Sequence, residues 1–256
     1  MKYFVCCVPV APVRLLANHK AEMTSQLLFG EYCIVEEEDK LGWAKITVKQ
    51  DGYTGWCQLS HITNVTEREY TGANNFLAAD WINKLSYNGQ QMYVPLGSLL
   101  VADKTSSSFW QQNKIDYLGT VWKAEDFETN ESTIRHIAFK VINTPYLWGG
   151  RSVFGIDCSG FTQLVYKFLE IHLLRDAHLQ VTQGTTVAFL QEAKCGDLAF
   201  FDDENGAIIH VGILLNSFEI IHASGKVRID KIDNEGIINS DTGLRTQALR
   251  IIKRYF

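Results

Sequence analysis

The stretch that decides the fold of this chain is PYLWGGRSVFGIDCSG, residues 145–160. It places Cys158 between a glycine-containing loop and the predicted start of a helix, whose apolar face runs from Phe161 to Phe168. The unpaired N–H groups and partial positive charge of a helix N-terminus favour a thiolate and can also hold an oxyanion. The position therefore predicts a nucleophile, although an isolated cysteine at a helix start is more often an inert buried thiol.

Two histidines further along the chain strengthen that prediction. His210 lies in the run Ile208–Leu215 and His222 in the run Phe218–Ala223, and both runs otherwise resemble buried strands. A three-residue turn centred on Asn216 would pair the histidines directly, with Cβ atoms about 4.5–5.5 Å apart. Such a pair suits catalysis, with His210 as the base for the thiol and His222 holding its tautomer. The alternative is a pair of core histidines with backbone partners.

The cysteines show no pattern of a disulfide framework. The six are Cys6, Cys7, Cys33, Cys57, Cys158 and Cys195. No C-x-x-C spacing occurs, so reduced thiols are expected. A tetrahedral zinc site formed by Cys158, Cys195, His210 and His222 is a rival hypothesis, but the two cysteines are far apart in sequence. We expect no metal and no organic cofactor.

Composition excludes several other classes. The chain has 256 residues, 46% of them hydrophobic, and a net charge of -5. Its Lys and Arg residues are scattered, so no nucleic-acid partner is expected. The apolar run 3–13 contains Pro9 and Pro12 and has no small-residue cleavage site, which argues against a signal peptide. No run approaches the 18–20 apolar residues of a membrane span, so we predict a cytoplasmic protein.

The first half of the chain reads as short strands. Runs 31–38 and 42–49 alternate apolar and polar residues, and Asp51-Gly52 marks a turn before a third run at 53–57. These features predict a small barrel over residues 1–64. Residues 65–127 contain a strand–turn–strand pattern at 91–101, while 75–85 fits either a helix or an extended segment. We expect a second small β module or an elaborated linker there.

The second half, residues 128–256, changes character. A helix is predicted over 131–143, and the second begins near Cys158. The four β-type runs that follow are 198–201, 208–215, 218–223 and 248–254. Helices followed by an antiparallel meander predict an α+β fold.

The motifs together resemble a known family. YLWGG-x6-DCSG, then GDLAFF at 196–201, HVGI at 210–213 and IHA at 221–223, are similar to the NlpC family of papain-like cell-wall peptidases. The match covers roughly residues 130–256 and departs from the family at Cys195, where proline is usual. The first third resembles the bacterial Src-homology-3-like barrels that precede this domain in some members. Within the family, γ-D-glutamyl-L-diamino acid endopeptidases, also called dipeptidyl-peptidase VI, share AEMTSQLLFGE, DGYTGW and LRDAHLQ.

The resemblance implies a set of substrate-binding residues. Asp157 would hold the ammonium group of the substrate, with Glu22 and Tyr53 contributed by the barrel. A cationic amine is matched by carboxylates and an aromatic ring, and a free α-carboxylate by arginine. Tyr146 and Ser159 would line the same pocket, and Arg175 with Asp176 would shape the site around the D-Glu portion. A solvated charge for Glu22 or Asp176, a core role for Tyr53 and a simple helix cap for Asp157 are the alternatives.

The resemblance also implies a reaction. The thiolate of Cys158 would attack the γ-carbonyl of D-Glu in murein stem peptides that carry a free N-terminal L-Ala, releasing L-Ala-D-Glu. His210 would protonate the departing amine and then activate water. The alternatives are a related amidase or acyltransferase, or an inactive module that binds wall fragments. The residues do not determine the preferred diamino acid, the peptide length or the oligomeric state. They also do not distinguish a role in recycling from one in wall turnover.

Overall fold

The computed structural model describes residues 1–72, 76–101 and 107–256, and the side chain of Ala124 lies outside this description. The chain forms two compact units. The N-terminal unit comprises Met1–Asp126 and Trp148–Val153, and the C-terminal unit comprises Phe127–Leu147 and Phe154–Phe256. Among the described residues, none of the helices has the length and apolar character that a bilayer span requires.

Seven antiparallel strands form the first sheet of the N-terminal unit. Their bounds are β1 Lys2–Cys6, β2 Val10–Arg14, β3 Met23–Leu28, β4 Tyr32–Glu38, β5 Trp43–Val48, β6 Thr54–Gln58 and β7 Ile62–Asn64, with a 3₁₀ turn at Leu59–His61. The hydrogen-bonded order is β3-β2-β6-β5-β4-β1-β7. The alternation predicted at 31–38 and 42–49 is real, because inward residues such as Val35 and Ile46 belong to one buried cluster. The predicted turn before β6 is also present, with Gly52 at a φ of 70°.

The described residues from Glu67 to Asp126 add one short helix and seven short strands to this unit. Their bounds are α1 Glu67–Thr71, β8 Phe76–Ala78, β9 Ile82–Tyr87, β10 Gln90–Pro95, β11 Leu99–Leu100, β12 Ser108–Trp110, β13 Asn113–Tyr117 and β14 Val121–Lys123, followed by a 3₁₀ turn at Ala124–Asp126. They form sheets of order β10-β9-β13-β12 and β11-β8-β14. The segment left open at 75–85 is therefore extended from Phe76, while Asn75 itself lies outside the described residues. Residues of both sheets belong to one buried cluster, so the two sheets share a core. Within this cluster the rings of Phe29 and Trp110 pack with centroids 5.0 Å apart.

The C-terminal half contributes three helices and nine strands in the described residues. Their bounds are α2 Glu131–Lys140, β15 Arg151–Ser152, β16 Gly155–Ile156, α3 Cys158–Lys167, α4 Ala177–Gln180, β17 Thr185–Val187, β18 Leu198–Asp202, β19 Ile208–Leu214, β20 Glu219–Ser224, β21 Lys226–Asp233, β22 Gly236–Ile238 and β23 Arg245–Arg254, with a 3₁₀ turn at Leu190–Glu192. The large sheet has the order β17-β23-β18-β19-β20-β21-β22, and β22 also pairs with β23. Six strands therefore close into a ring. The α+β prediction is confirmed.

The interior of this ring positions the site. Leu214 of β19, Ile220 of β20 and Ile232 of β21 belong to one buried cluster. Because side chains alternate across a strand, even-numbered residues of β19 and β20 face the same side as this cluster. His210 and His222 therefore lie on the inner face, and all ten residues of α3 are buried.

Candidate active site

The helix that carries Cys158 begins where the sequence predicts. Asp157 has an extended backbone, with φ −91° and ψ 177°, and its carboxylate accepts a hydrogen bond from the Gly160 N–H at 2.7 Å. An N-cap aspartate satisfies one of the free donors of the first turn and fixes the helix start. Cys158 is consequently the first helical residue, and it is 7% exposed.

The thiol is not ionised by its position alone. Burial raises the pKa of Cys158 to about 12, and the neighbouring Asp157 carboxylate acts in the same direction. A hydrogen bond with the Val211 backbone and the charge of Arg175 oppose this increase but are weaker. The expectation of a lowered pKa at the helix start is therefore wrong, because loss of solvation outweighs the backbone hydrogen bonds and the charge of Arg175 that favour the thiolate. Val211 is the residue that follows His210 in the chain.

The two histidines meet, but in a different register from the predicted one. His222 pairs with Gly212 across β19 and β20, not with His210. The turn is centred on Ser217 because the Leu215 N–H donates to Glu219 O at 2.9 Å. A shift of two residues keeps both histidines on one face. His210 Nε2 lies 2.8 Å from His222 Nδ1, so the predicted contact forms along the diagonal.

Gly212 makes this diagonal contact possible. A Cβ atom placed on Gly212 would lie 2.8 Å from the Cβ of His222 and 2.7 Å from Ile220 Cδ1. Real Cβ atoms do not approach so closely, so only glycine allows the strands to come together at this point. The His222 ring then reaches His210, with the ring centroids 5.1 Å apart.

A third polar residue continues the chain of contacts. His222 Nε2 lies 3.0 Å from Asp230 Oδ2 on β21, and Asp230 is 2% exposed. The sequence analysis did not single out Asp230, since it predicted no strand at 226–233. The available signal is weak: an acidic residue at an inward position of the alternating run KVRIDKID.

Burial also controls the charge of the first histidine. It lowers the pKa of His210 to about 3, and His222 adds to the effect. Burial alone would raise the pKa of Asp230, but hydrogen bonds from His222, the Ser240 N–H and Arg228 outweigh it and lower that pKa. The resting site therefore pairs a neutral thiol with a neutral imidazole, backed by a carboxylate. Attack by the thiol then requires proton transfer to the imidazole.

Three residues of the predicted substrate set form one buried cluster. Arg175 donates to Asp157 Oδ1 at 3.0 Å and to Oδ2 at 2.5 Å, and to Ser159 Oγ at 2.8 Å. Arg175 is 1% exposed. The guanidinium is thus occupied by Asp157 and Ser159, so this geometry supports an indirect role for Arg175 instead of the expected contact with a substrate carboxylate. The helix-cap alternative for Asp157 is also realised.

Tyr146 and Asp176 lie in the same unit as this cluster. Burial raises the pKa of Tyr146 to about 12, with smaller contributions from Cys158 and Asp157, so the phenol stays protonated beside the thiol. Asp176 occupies the N-cap position of α4, but its side chain makes no capping hydrogen bond. Its backbone carbonyl accepts from Leu179 and Gln180 instead.

The two predicted residues of the barrel lie in the N-terminal unit. Glu22 is exposed, and its Oε1 accepts a hydrogen bond from Trp148 Nε1 at 2.6 Å. Tyr53 packs half-buried against the barrel core, and its N–H donates to Asp51 Oδ1 at 3.0 Å. Trp148 was not among the predicted site residues, and its contact with Glu22 follows from the fold alone.

The rival zinc site is not assembled. The residue after Cys195, Gly196, donates from its N–H to Leu214 O at 2.9 Å, at the far end of β19. His210 lies four residues away along that strand, a separation of about 13 Å. In the described part of the chain, no group of three or more His, Cys, Asp or Glu residues is placed to hold a metal ion.

A buried thiol at a helix start, beside a chain of two histidines and a carboxylate on an antiparallel sheet, defines the class of papain-like cysteine peptidases. Comparisons agree with this class. Residues 143–246 match the NlpC/P60 family, and residues 15–62 match the bacterial dipeptidyl-peptidase Sh3 domain. The chain therefore carries an NlpC/P60 domain and a bacterial Src-homology-3 domain.

Similar proteins cover most of the chain. A gamma-D-glutamyl-L-lysine dipeptidyl-peptidase of Bacillus subtilis is 29% identical over 78% of this chain and 71% of its own length. A protein of the same name from Bacillus cereus is 26% identical over 91% of this chain and 77% of its own length. The crystal structure of an NlpC/P60 family protein from Bacillus cereus covers 99% of both chains with a TM-score of 0.81 and 21% identity. That last likeness concerns the fold.

Proposed function

We propose that this peptidase hydrolyses the bond between γ-D-Glu and a diamino acid in murein stem peptides with a free N-terminal L-Ala, releasing L-Ala-D-Glu. The observation that carries the proposal is the contact between His210 and His222 on the inner face of the ring. His210 lies on β19, the strand whose Val211 backbone contacts the Cys158 thiol. The bond specificity is supported by the two gamma-D-glutamyl-L-lysine dipeptidyl-peptidases that this chain resembles over most of its length.

The proposed reaction has two steps. Cys158 transfers its proton to His210 as the sulfur attacks the γ-carbonyl carbon, and the resulting imidazolium then protonates the amine that leaves when the C–N bond breaks. Water, activated by His210, hydrolyses the thioester. The Gly160 N–H is used by Asp157, so stabilisation of the oxyanion is assigned to the backbone N–H groups that precede it in α3.

The proposed recognition of the substrate amine rests on Asp157, Tyr146 and Ser159. Because Arg175 compensates the charge of Asp157, this carboxylate attracts an ammonium less strongly than an unpaired one would. Glu22 and Tyr53 keep their predicted role in the proposal on the family resemblance, and Asp176 is assigned to the region of the D-Glu portion in the same way.

The proposal includes a division of the chain and a setting. Residues 1–64 form a Src-homology-3-like barrel, residues 65–127 a second β module, and residues 128–256 the peptidase domain. We further propose that the enzyme acts on peptide fragments during recycling in the cytoplasm.

Mass spectrometry of reaction products tests the proposal. The substrates are L-Ala-γ-D-Glu-diaminopimelate, the corresponding lysine peptide, and N-acetylated versions of both. We expect L-Ala-D-Glu from the free peptides, no product from the blocked ones, and no turnover by Cys158→Ala. His222→Ala should lose less activity, because other groups can partly orient His210.

Two outcomes would contradict parts of this proposal. Cleavage at any other bond, or wild-type turnover by Cys158→Ala, would remove the assigned reaction. Equal cleavage of free and blocked peptides would leave the reaction intact but remove the amine-binding roles of Asp157, Glu22 and Tyr53. Binding without cleavage would identify a module that only holds wall fragments.

A further inference from the structure

Asp230 has no role in the reaction as proposed so far, yet its surroundings are unusually well defined. Its Oδ1 atom accepts hydrogen bonds from the Ser240 N–H at 2.8 Å and from Arg228 Nη2 at 2.9 Å. Its Oδ2 atom faces His222 Nε2 at 3.0 Å. We propose that Asp230 is a positioning residue that selects the tautomers of both histidines and thereby makes His210 Nδ1 the proton acceptor for Cys158. The inference rests on the proposed function.

The selection passes through two hydrogen bonds. An ionised carboxylate only accepts hydrogen bonds, so His222 must carry its proton on Nε2. The neutral His222 ring then has a lone pair on Nδ1, and the contact at 2.8 Å requires His210 to donate from its own Nε2. His210 is left with its lone pair on Nδ1. The other tautomer of His210 would present a hydrogen to the thiol and could not accept its proton.

The partners of Oδ1 make this selection sensitive to one atom. The Ser240 N–H and Arg228 are donors only, so an oxygen of Asp or Asn at position 230 must face them. In Asp230→Asn, that requirement turns the amide NH₂ group towards His222 Nε2. His222 would then carry its proton on Nδ1 and donate it to His210 Nε2. His210 would therefore hold its own proton on its Nδ1. A change of one oxygen to nitrogen thus reverses both tautomers.

The same chain stabilises the charge that forms during attack. When Cys158 passes its proton to His210, the imidazolium lies in contact with His222, whose far side faces the Asp230 carboxylate. The proton that His210 gains on Nδ1 is later given to the leaving amine, so no net proton is stored in the chain. Asp230 contacts His222 and acts on His210 only through it.

Asp230→Asn, compared with Asp233→Asn, tests the proposal. Asp233 lies on the same strand but pairs with the exposed Arg245. For Asp230→Asn we expect kcat to fall about 100-fold, the lower end of a general acid–base contribution, with KM unchanged. Asp233→Asn should retain wild-type kinetics. Nitrogen-15 spectra of the imidazoles should show Nε2–H for both histidines in the wild type and Nδ1–H for both in Asp230→Asn.

Two further measurements separate this idea from a structural effect and from the substrate assignment. In a His222→Ala background, Asp230→Asn should cause no further loss of kcat, because its route to His210 is already cut. The rate of Cys158 alkylation by iodoacetamide, followed by mass spectrometry of the modified peptide, should fall in Asp230→Asn. In that reaction the sulfur–carbon bond forms, iodide leaves and His210 takes the proton, so no murein peptide is needed.

The outcomes are distinct. If Cys158 of the wild-type enzyme is alkylated with the help of His210 but the enzyme cleaves no γ-D-glutamyl peptide, the proposed function fails and the role of Asp230 stands. Unchanged tautomers in Asp230→Asn, a kcat within twofold of the wild type, or an equal loss in the His222→Ala background would overturn the role of Asp230. If Asp230→Asn does not fold, Nδ1–H on either histidine of the wild type overturns it as well.

Discussion

Replacing Arg175 by methionine should destabilise the C-terminal unit strongly. The side chains of Arg175 and Asp157 are 1% and 7% exposed, and the guanidinium contacts both oxygens of the carboxylate. Methionine keeps most of the aliphatic volume but removes the positive charge. Asp157 would then lose this buried ion pair, while the hydrogen bond from the Gly160 N–H would remain.

The expected cost follows from the burial of the pair. Removing one partner of a buried ion pair costs about 3–5 kcal/mol, because the remaining charge has lost both its solvation and its partner. With a urea dependence of about 2 kcal/mol per molar, the unfolding midpoint should fall by about 2 M. Arg245→Met is the matched control. Arg245 also contacts both oxygens of Asp233, but those side chains are 37% and 45% exposed, so solvent screens the pair and the midpoint should change little.

The two units can be followed separately during urea unfolding. All six tryptophans lie in the N-terminal unit, so their fluorescence reports that unit. Circular dichroism in the far ultraviolet reports both units. We expect Arg175→Met to shift the unfolding transition of the C-terminal unit, seen by circular dichroism, and to leave the tryptophan fluorescence transition unchanged. A midpoint shift no larger than that of Arg245→Met would refute the argument from burial, and Asp157→Asn combined with Arg175→Met should recover most of the loss.

Three further predictions concern other buried ionisable groups. Glu31→Gln should destabilise the N-terminal unit by about 3–5 kcal/mol, since it removes the buried ion pair between Glu31 and Arg151. Glu38→Gln, in an exposed pair, should change little. Tryptophan fluorescence in urea measures both, and equal midpoints would contradict this prediction. Because the folded pKa of His210 lies near 3, below its unfolded value, stability should fall as pH drops from 6.5 towards 3, by about 1.4 kcal/mol per unit. Because the pKa of Cys158 is raised to about 12, stability should also fall above pH 9. Chemical denaturation of the wild type, His210→Asn and Cys158→Ala across the acid and alkaline ranges checks both slopes.

Local patterns were sufficient to predict the scaffold of the site. The start of α3 follows from Asp157, a residue that caps helices, and β19 and β20 follow from their apolar runs. The pKa of Cys158 could not be predicted in this way. Position at a helix start is visible in sequence, whereas burial against β19 and the charge of Asp157 depend on tertiary packing. The partner of Arg175 was hidden for the same reason, since 18 residues separate it from Asp157.

The histidine contact shows why one wrong step in register did no harm. A shift of one residue would have turned His222 to the outer face, but the real shift of two keeps it inside. What the shift changes is the residue opposite His222, and that residue is Gly212, the one type that leaves room for a diagonal contact. The glycine of the HVGI motif is therefore part of the site although it carries no functional group. Asp230 escaped prediction because its place depends on one more register, set by the tight turn at Gly225 between β20 and β21, where φ is 69°.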